Sequence, residues 1–271
     1  MSEKKVRLDL ALVERGLIPS RERAKTTIMS GLVFVNQQKA DKPGTPVTAE
    51  DQIEVRGNAL EFVSRGGKKL EKALDVFGVD VAGKIAIDAG ASTGGFSDCM
   101  LKRGVAKIYA VDVGYGQLAW SVRNDPRVVC MERTNVRYVT REQIPEPLDL
   151  AVIDVSFISL SLVLAPIGAL LKDGAECVCL IKPQFEAGRE QVGKKGVVRD
   201  PAVHRAVLEH VMEEAQRAGY TVKNLTFSPI TGPEGNIEFL GHLVRGAGEN
   251  CAIDLDALVA EAHLALKGSS V

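Results

Sequence analysis

The chain has 271 residues, 45% of them hydrophobic and 25% charged, with a formal net charge of −1. This composition excludes a largely disordered, collagen-like or low-complexity chain, and the length favours one domain of about 200 residues plus a smaller one. The most apolar stretch, residues 162–171, is about half as long as a membrane span and contains Pro166, and residues 1–10 lack an apolar signal core, so we expect neither export nor membrane insertion.

The N-terminal part of the chain predicts a small unit of two helices and two strands. An apolar pattern before Gly16 predicts the first helix, and Ser20 can cap a second helix that ends near Gly31. Residues 32–36 and 51–55 read as strands. The segment between these strands is rich in Pro and Gly, which disfavours regular structure there.

Charge is distributed unevenly along the chain. Residues 1–69 hold 13 Lys and Arg against 9 Asp and Glu, whereas the remaining residues hold 21 against 26. A basic N-terminal part indicates an anionic partner such as nucleic acid, with an ordinary solvated surface as the alternative.

From Lys84 onward, apolar strands alternate with helices. Continuous apolar strands separated by helices predict an α/β architecture, a mostly parallel sheet with helices on both faces. After the fifth strand the pattern changes to a polar, basic loop, a helix and two more strands, which predict a late antiparallel hairpin in that sheet. The predicted strands are residues 84–90, 107–113, 127–133, 148–155, 175–182, 220–228 and 236–244.

The sequence GASTGGF at residues 90–96 predicts a glycine-rich turn between the first of these strands and a helix. A phosphate-binding P-loop is disfavoured because Phe96 occupies the position of its lysine, and a nicotinamide site is disfavoured because no glycine lies two positions after Gly90. Asp88, two residues before Gly90, instead suits the ammonium group of S-adenosylmethionine. The alternative is tight packing of strand and helix with no ligand.

Two polar residues follow the next strands. Asp112 ends the second strand, where it can accept hydrogen bonds from both ribose hydroxyls of a nucleoside. Asn135 follows the third strand, beside the expected adenine pocket, although a loop asparagine that makes a turn is the alternative. The expected residues of the S-adenosylmethionine site are Asp88, Gly90, Ser92, Thr93, Gly94, Gly95, Phe96, Asp112 and Asn135.

Charged residues end two of the most apolar strands. Asp154 closes LAVID, and Lys182 closes CLIK. Ligands of open parallel sheets bind beyond the carboxyl ends of the strands, so both side chains are candidates for catalysis. The alternative is that each is the first solvated position after a buried strand.

Six motifs occur in order along the chain: SRGGKKL, IDAGASTGGF, VIDVSFISL, LIKPQFEAGR, VVRDP and TGPEGNIEFL. Together they resemble the TlyA family, whose members are called haemolysins but act as ribosomal RNA 2′-O-methyltransferases. The resemblance implies an FtsJ-like, Rossmann-like class I methyltransferase domain over residues 64–245 and an RNA-binding module of the α-L type over residues 5–60. We accordingly expect an RNA-binding domain at 1–58, a linker at 59–66 and a methyltransferase domain at 67–271.

The same resemblance implies a catalytic tetrad of Lys69, Asp154, Lys182 and Glu238, with S-adenosylmethionine as cofactor and no metal. Methyl transfer to a hydroxyl is an in-line displacement that also releases a proton. Lys182 is the candidate for contacting and deprotonating the hydroxyl, which requires burial and the nearby cation Lys69 to favour its neutral form. Asp154 and Glu238 favour the charged form instead, so we assign them to orientation. Lys69 is preferred to Lys68 because it directly precedes the leucine of the motif.

The expected substrate is a ribose 2′-hydroxyl of a cytidine in large-subunit rRNA, with small-subunit rRNA as a second candidate. A nucleotide within a helix would have to be flipped out. Basic residues of the two N-terminal helices can share a face and contact phosphates, and the loop from Arg189 to Arg199 can close over the RNA. The candidate RNA contacts are Arg7, Arg15, Arg21, Arg23, Lys25, Arg65, Lys68, Arg189, Lys194 and Lys195.

Two other functions fit the sequence less well. A membrane-active haemolysin needs an exposed apolar insertion segment, which the sequence does not show, and a non-catalytic RNA-binding protein has no use for an intact tetrad. Five cysteines without metal-ligand spacing suit the cytoplasm. We expect a monomer or weak dimer that binds ribosomal subunits and no membrane, with Trp120 in the core.

Overall fold

The computed structural model describes residues 5–18, 20–56, 61–193 and 195–266. The chain forms two compact units, Met1–Gly67 and Lys68–Val271. No helix within the described ranges is both long and apolar enough to cross a bilayer.

Two helices and five short strands lie in the described part of the first unit. Its elements are β1 (Val6–Arg7), α1 (Leu8–Glu14), α2 (Arg21–Met29), β2 (Val33–Val35), β3 (Gln38–Ala40), β4 (Pro46–Val47) and β5 (Ile53–Val55). β2 pairs antiparallel with β3 and β5, and β1 pairs antiparallel with β4. Ser20 caps α2 by accepting a hydrogen bond from the Arg23 amide. Leu8, Leu12 and Ile28 belong to the buried core that joins the two helices to the strands.

The expectation that residues 37–50 lack regular structure is wrong, because β3 and β4 lie in this segment. Val35 pairs with Gln38, so Asn36 and Gln37 alone form the turn between β2 and β3. Their φ angles of 49° and 68° are those of a two-residue type I′ hairpin turn. The turn was missed because glutamine stands where such hairpins usually carry glycine.

The second unit is built around a seven-stranded sheet. Its elements are α3 (Gly66–Phe77), which contains the division between the units, β6 (Ile85–Ala89), α4 (Gly95–Lys102), β7 (Lys107–Val111), α5 (Trp120–Arg123), β8 (Val128–Met131), β9 (Leu148–Ile153), α6 (Ser161–Gly168), β10 (Leu171–Ile181), α7 (Pro183–Glu186), α8 (Pro201–Arg217), β11 (Tyr220–Phe227), β12 (Phe239–Arg245) and α9 (Leu255–Ala265). Short 3₁₀ turns lie at Val136–Tyr138 and Arg189–Gln191.

The strand order is β11-β12-β10-β9-β6-β7-β8. The strands from β8 to β10 are parallel, whereas β12 runs antiparallel to both β10 and β11. Leu150, Ala151, Val152 and Ile153 of β9 are all fully buried, as expected for a strand covered on both faces. The predicted mostly parallel sheet with a late antiparallel hairpin is therefore confirmed.

One edge of this sheet collects the ends of several strands. Ala89 of β6 pairs with Val111 of β7 and with Ile153 of β9, so the residues that follow these three positions emerge side by side. Ile181 at the end of β10 pairs with Phe239 at the start of β12. Because β12 is antiparallel, its beginning lies at the same edge as the ends of its parallel neighbours.

The expectation that Trp120 fills the core is wrong. It is the first residue of α5, and 67% of it is exposed. α5 has only four residues and buries Val122, so its single turn offers the core one apolar side chain and leaves the indole outside.

Candidate active site

The glycine-rich turn after β6 brings two chain segments into close contact. Gly90 has a φ of 86°, and a Cβ atom there would come within 3.0 Å of the backbone carbonyl of Asp154. Gly94, with a φ of 91°, is the N-cap residue of α4. Since only glycine adopts such φ angles without strain, both residues permit a path that other residues would block. The turn therefore packs backbone against backbone beside the end of β9.

Asp88 lies beneath this turn and is fully buried. Its Oδ2 accepts a hydrogen bond of 2.6 Å from the Ser97 hydroxyl, while Oδ1 has no hydrogen-bond partner among the residues that the structure describes. Burial raises the pKa of Asp88 to about 7, against the opposing effect of the Ser97 hydrogen bond. The free buried oxygen can accept a further donor.

A cavity of about 460 Å³ opens above the edge of the sheet. Five of the residues singled out from sequence line it: Gly90, Ser92, Asp112, Asn135 and Asp154. The other predicted cofactor residues, Asp88, Thr93, Gly94, Gly95 and Phe96, are not among its lining residues, and Phe96 is buried within α4. The volume lies within the range of small-molecule sites, which is about 300–1,000 Å³.

Asp112 and Asn135 are both tied to the backbone around the cavity. Asp112 accepts hydrogen bonds of 2.7 Å from the amides of Ser92 and Gly114, one on each carboxylate oxygen. Asn135 Oδ1 accepts from the Arg137 amide and so caps the short turn that follows. The carboxylate is thereby fixed in orientation, and each of its oxygens retains lone pairs for a hydroxyl donor.

Lys182 and Asp154 form an ion pair at the ends of β10 and β9. Lys182 Nζ lies 2.6 Å from Asp154 Oδ1, without hydrogen-bond alignment, and donates a hydrogen bond of 2.8 Å to the hydroxyl of Ser156. Lys182 is buried, whereas Ser156 is exposed and lines the cavity. The ammonium is therefore held by one charged and one neutral partner at the cavity wall.

Lys69 and Glu238 form a second ion pair. Lys69 Nζ lies 2.5 Å from Glu238 Oε2, and both residues are buried. The adjacent Lys68 is exposed. The structure thus places Lys69, rather than Lys68, against the glutamate that directly precedes β12.

The strand register explains why the four residues of the predicted tetrad come to one edge. Asp154 follows β9, Lys182 follows the adjacent β10, and Glu238 precedes β12, which pairs with β10. Lys69 reaches this edge from α3 through its bond to Glu238. Two cations and two carboxylates balance one another, an arrangement that can orient a hydroxyl group and hold or accept a proton.

The basic candidates of the first unit differ in how their side chains are used. Arg15 donates hydrogen bonds of 2.6 Å to the carbonyl oxygens of Asp51 and Thr48, which occupies donors that a phosphate contact needs. Arg7 and Arg21 both hydrogen-bond to Asp9 and are about half exposed. The other exposed candidates are Arg23, Lys25 and Arg65 in the first unit and Lys68, Arg189 and Lys195 in the second. Lys194 lies outside the described residues.

The cavity wall also contains residues outside the predicted site, among them Gln117, Ser156 and Phe157. Ser156 and Phe157 lie inside the motif VIDVSFISL, two and three residues after Asp154, so their place beside a strand end was the available signal. Phe157 has a φ of 64° and is 91% exposed, with its ring centroid 5.0 Å from that of Phe185.

Comparisons with known proteins give consistent matches over the whole chain. The FtsJ-like methyltransferase family matches residues 62–245, and the S4 domain matches residues 6–53. A Bacillus subtilis protein provisionally named the rRNA methyltransferase YqxC is 53% identical over 98% of this chain and 97% of its own length. The 16S/23S rRNA (cytidine-2′-O)-methyltransferase TlyA of Mycobacterium tuberculosis is 46% identical over 87% of this chain and 88% of its own. A solved structure from Streptococcus thermophilus, provisionally named a hemolysin, superposes with a TM-score of 0.79 at 46% identity and covers 98% of both chains.

Proposed function

Because the chain belongs to the TlyA family of FtsJ-like methyltransferases, we propose that it methylates a cytidine ribose of rRNA at the 2′-hydroxyl. The chain is an S-adenosylmethionine-dependent methyltransferase with a Rossmann-like catalytic domain. The observation that carries the proposal is the pairing of Lys182 with Asp154 and of Lys69 with Glu238 at one edge of the sheet, where Asp154 lines the cavity.

The residues around the cavity fit S-adenosylmethionine. The orphaned Oδ1 of buried Asp88 suits the ammonium of the methionine end, and the fixed carboxylate of Asp112 suits the ribose hydroxyls. Gly90 and Ser92 of the glycine-rich turn line the cavity, and Asn135 lines it on the side assigned to adenine. When bound, the cofactor supplies a methyl group on a positively charged sulfur.

The protein's own residues then have to align the ribose oxygen and receive its proton. We assign Lys182 to contact the 2′-hydroxyl, since it reaches the cavity wall through Asp154 and Ser156. In its neutral form the amine would accept the proton that the hydroxyl releases on methylation. Asp154 pairs with Lys182 and orients it, and Glu238 pairs with Lys69, the second cation of the tetrad.

We assign the recognition of rRNA mainly to the first part of the chain. The proposed boundaries are an RNA-binding domain at 1–58, a linker at 59–66 and a methyltransferase domain at 67–271. The basic loop from Arg189 to Arg199 supplies further contacts. We propose that the protein acts in the cytoplasm as a monomer or weak dimer on ribosomal subunits and does not bind membranes.

The proposal is tested by incubating the purified full chain with labelled S-adenosylmethionine and, separately, with large and small ribosomal subunits. We expect label in rRNA, resistance of the modified linkage to alkali and a cytidine at the modified position. Label in ribosomal protein, or in a base rather than a ribose, would contradict the proposal. Lys182→Ala serves as the inactive control.

A further inference from the structure

A buried carboxylate lies among the basic residues of the first unit. Asp9, in the first turn of α1, has 0% exposure, yet its two oxygens receive four N–H donors. Oδ1 accepts from Arg7 Nε at 2.9 Å and from the Leu10 amide at 3.1 Å, and Oδ2 accepts from Arg7 Nη2 and Arg21 Nε, each at 3.1 Å. One carboxylate therefore fixes two arginines, one before α1 and one at the start of α2.

Asp9 holds the two arginines through only some of their N–H donors. Their side chains are 49% and 51% exposed. Arg7 binds Asp9 through Nε and Nη2, and Arg21 binds it through Nε alone, so Nη1 of Arg7 and both terminal nitrogens of Arg21 have no hydrogen-bond partner within the described ranges of the chain. Gly44 leaves room for the Arg7 head, because a Cβ there would lie 3.1 Å from Nη1.

Stability alone gives a poor account of this arrangement. Burial acts to raise the pKa of Asp9, but hydrogen bonds from Arg7 and Arg21 outweigh it, and the pKa lies below its usual value. A buried carboxylate with charged partners is often no more stabilising than an apolar residue of similar size. The group of three side chains keeps a net positive charge that faces solvent.

We propose that Asp9 is a positioning residue that holds Arg7 and Arg21 as a preformed two-arginine site for neighbouring phosphates of the RNA backbone. Guanidinium groups present paired N–H donors that match phosphate oxygens, and fixing two long side chains in advance reduces the ordering cost of binding. The inference rests on the proposed action on rRNA. It adds that the negative charge of Asp9 strengthens binding to the RNA polyanion, because it holds the two arginines in place.

Net charge and positioning predict opposite changes in RNA affinity when the Asp9 charge is removed. Asp9→Asn removes one negative charge from a basic unit, so net charge alone predicts tighter binding to RNA, whereas loss of positioning predicts weaker binding. The matched control is Glu54→Gln, which removes a carboxylate that pairs with an arginine of the same unit, Arg56, at 2.9 Å. Glu54 and Arg56 are both about half exposed, and Glu54 holds a single arginine.

The experiment measures the affinity of the full chain for purified large-subunit rRNA at several salt concentrations. We expect Asp9→Asn to weaken binding about tenfold at constant salt and Glu54→Gln to leave it unchanged or slightly tighter. Arg7→Ala and Arg21→Ala should each reduce the slope of log affinity against log salt by about 0.7–0.9. In the Arg7→Ala/Arg21→Ala background, Asp9→Asn should no longer weaken binding, because nothing is left to position.

The inference is overturned if a folded Asp9→Asn variant binds rRNA as tightly as the unaltered chain or more tightly. It is also overturned if Asp9→Asn weakens binding by the same factor in the Arg7→Ala/Arg21→Ala background. If Asp9→Asn fails to fold, Arg7→Lys/Arg21→Lys takes its place. These lysines keep both charges but cannot form the same fork with Asp9, so binding should still weaken several-fold, and unchanged affinity overturns the inference. If the unaltered chain does not bind rRNA, both the proposed function and this inference are contradicted. If the unaltered chain binds and Asp9→Asn does not weaken binding, only this inference is contradicted.

Discussion

Lys69 and Glu238 lie 169 positions apart in the chain and meet in a buried ion pair of 2.5 Å. Removal of one partner leaves the other charge buried and uncompensated. The pair therefore ties α3 to the start of β12 and makes the integrity of the site depend on both.

Lys69→Ala should reduce the free energy of unfolding by about 3–5 kcal/mol, because Glu238 is left buried without its cation. Lys68→Ala is the matched control, since Lys68 is exposed, and it should change stability by less than about 0.5 kcal/mol. Denaturant titration of the two variants measures both values. Equal stability of the two variants would show that the pair is not held as described.

Lys182→Ala should abolish methyl transfer to rRNA while leaving the affinity for S-adenosylmethionine within about threefold of the original, because Lys182 is not among the residues that line the cavity. Single-turnover assays measure the first effect, and calorimetric titration with S-adenosylhomocysteine measures the second. Retained turnover would refute the assignment of Lys182 as the group that receives the proton.

Ser156→Ala should lower kcat about tenfold, because it removes the neutral partner of the Lys182 ammonium. Ser156→Thr keeps a hydroxyl and should restore most of the rate. Ser159→Ala is a control in the same segment, since the Ser159 hydroxyl bonds to Glu186 and Ser161 instead. A rate loss shared by Ser156→Ala and Ser159→Ala would indicate a loop effect rather than orientation of Lys182.

Asp88→Asn should change how stability depends on pH. The pKa of Asp88 is raised from 3.8 to about 7 in the folded chain, so its contribution is fully present below pH 3.8 and is lost as the pH rises through about 7. Asparagine does not ionise, so its stability lacks this pH dependence. The free energy of unfolding of the variant, relative to that of the original chain, should therefore rise by on the order of 2–4 kcal/mol between pH 4 and pH 8. Denaturant titrations at the two pH values measure this difference, and a constant difference would contradict the burial of a titrating Asp88.

Gly90→Ala should destabilise the second unit and abolish cofactor binding, because the added Cβ would meet the backbone of Asp154. Gly174→Ala is the matched control: its φ is 76°, similar to that of Gly90, but beyond its two chain neighbours no atom of the described residues lies within 4 Å of the added Cβ. The control should lose only the roughly 1–2 kcal/mol of left-handed strain, and Gly90→Ala about 1–3 kcal/mol more. Thermal unfolding and cofactor titration of both variants test the difference.

Much of the catalytic edge was predictable because apolar strands ending in polar residues mark the carboxyl side of a parallel sheet. That reasoning placed Gly90, Asp112 and Asp154 at one edge, where the strand register brings them together. The same reasoning could not place Glu238, which directly precedes an antiparallel strand. The alternation of polar and apolar residues around it is that of an acid facing outward. Lys69 lies on a helix and carries no local sign of its partner, so both depended on the family resemblance.

Other features were hidden because their cause is tertiary. The position of Asp88 behind the glycine-rich turn, rather than on the cavity wall, depends on Ser97 and on packing that spacing does not reveal. The hairpin at Asn36 and Gln37 was missed because its positive φ angles fall on residues without a strong turn signal. Trp120 was assigned to the core by its side chain alone, whereas the brevity of α5 decides its exposure.

The contact between Gly90 and Asp154 runs through main-chain atoms, with no side chain at residue 90 to intervene. We therefore expect side-chain substitutions at the cavity mouth to leave the spacing between the glycine-rich turn and the end of β9 unchanged, whereas a Cβ at residue 90 would force the two segments apart.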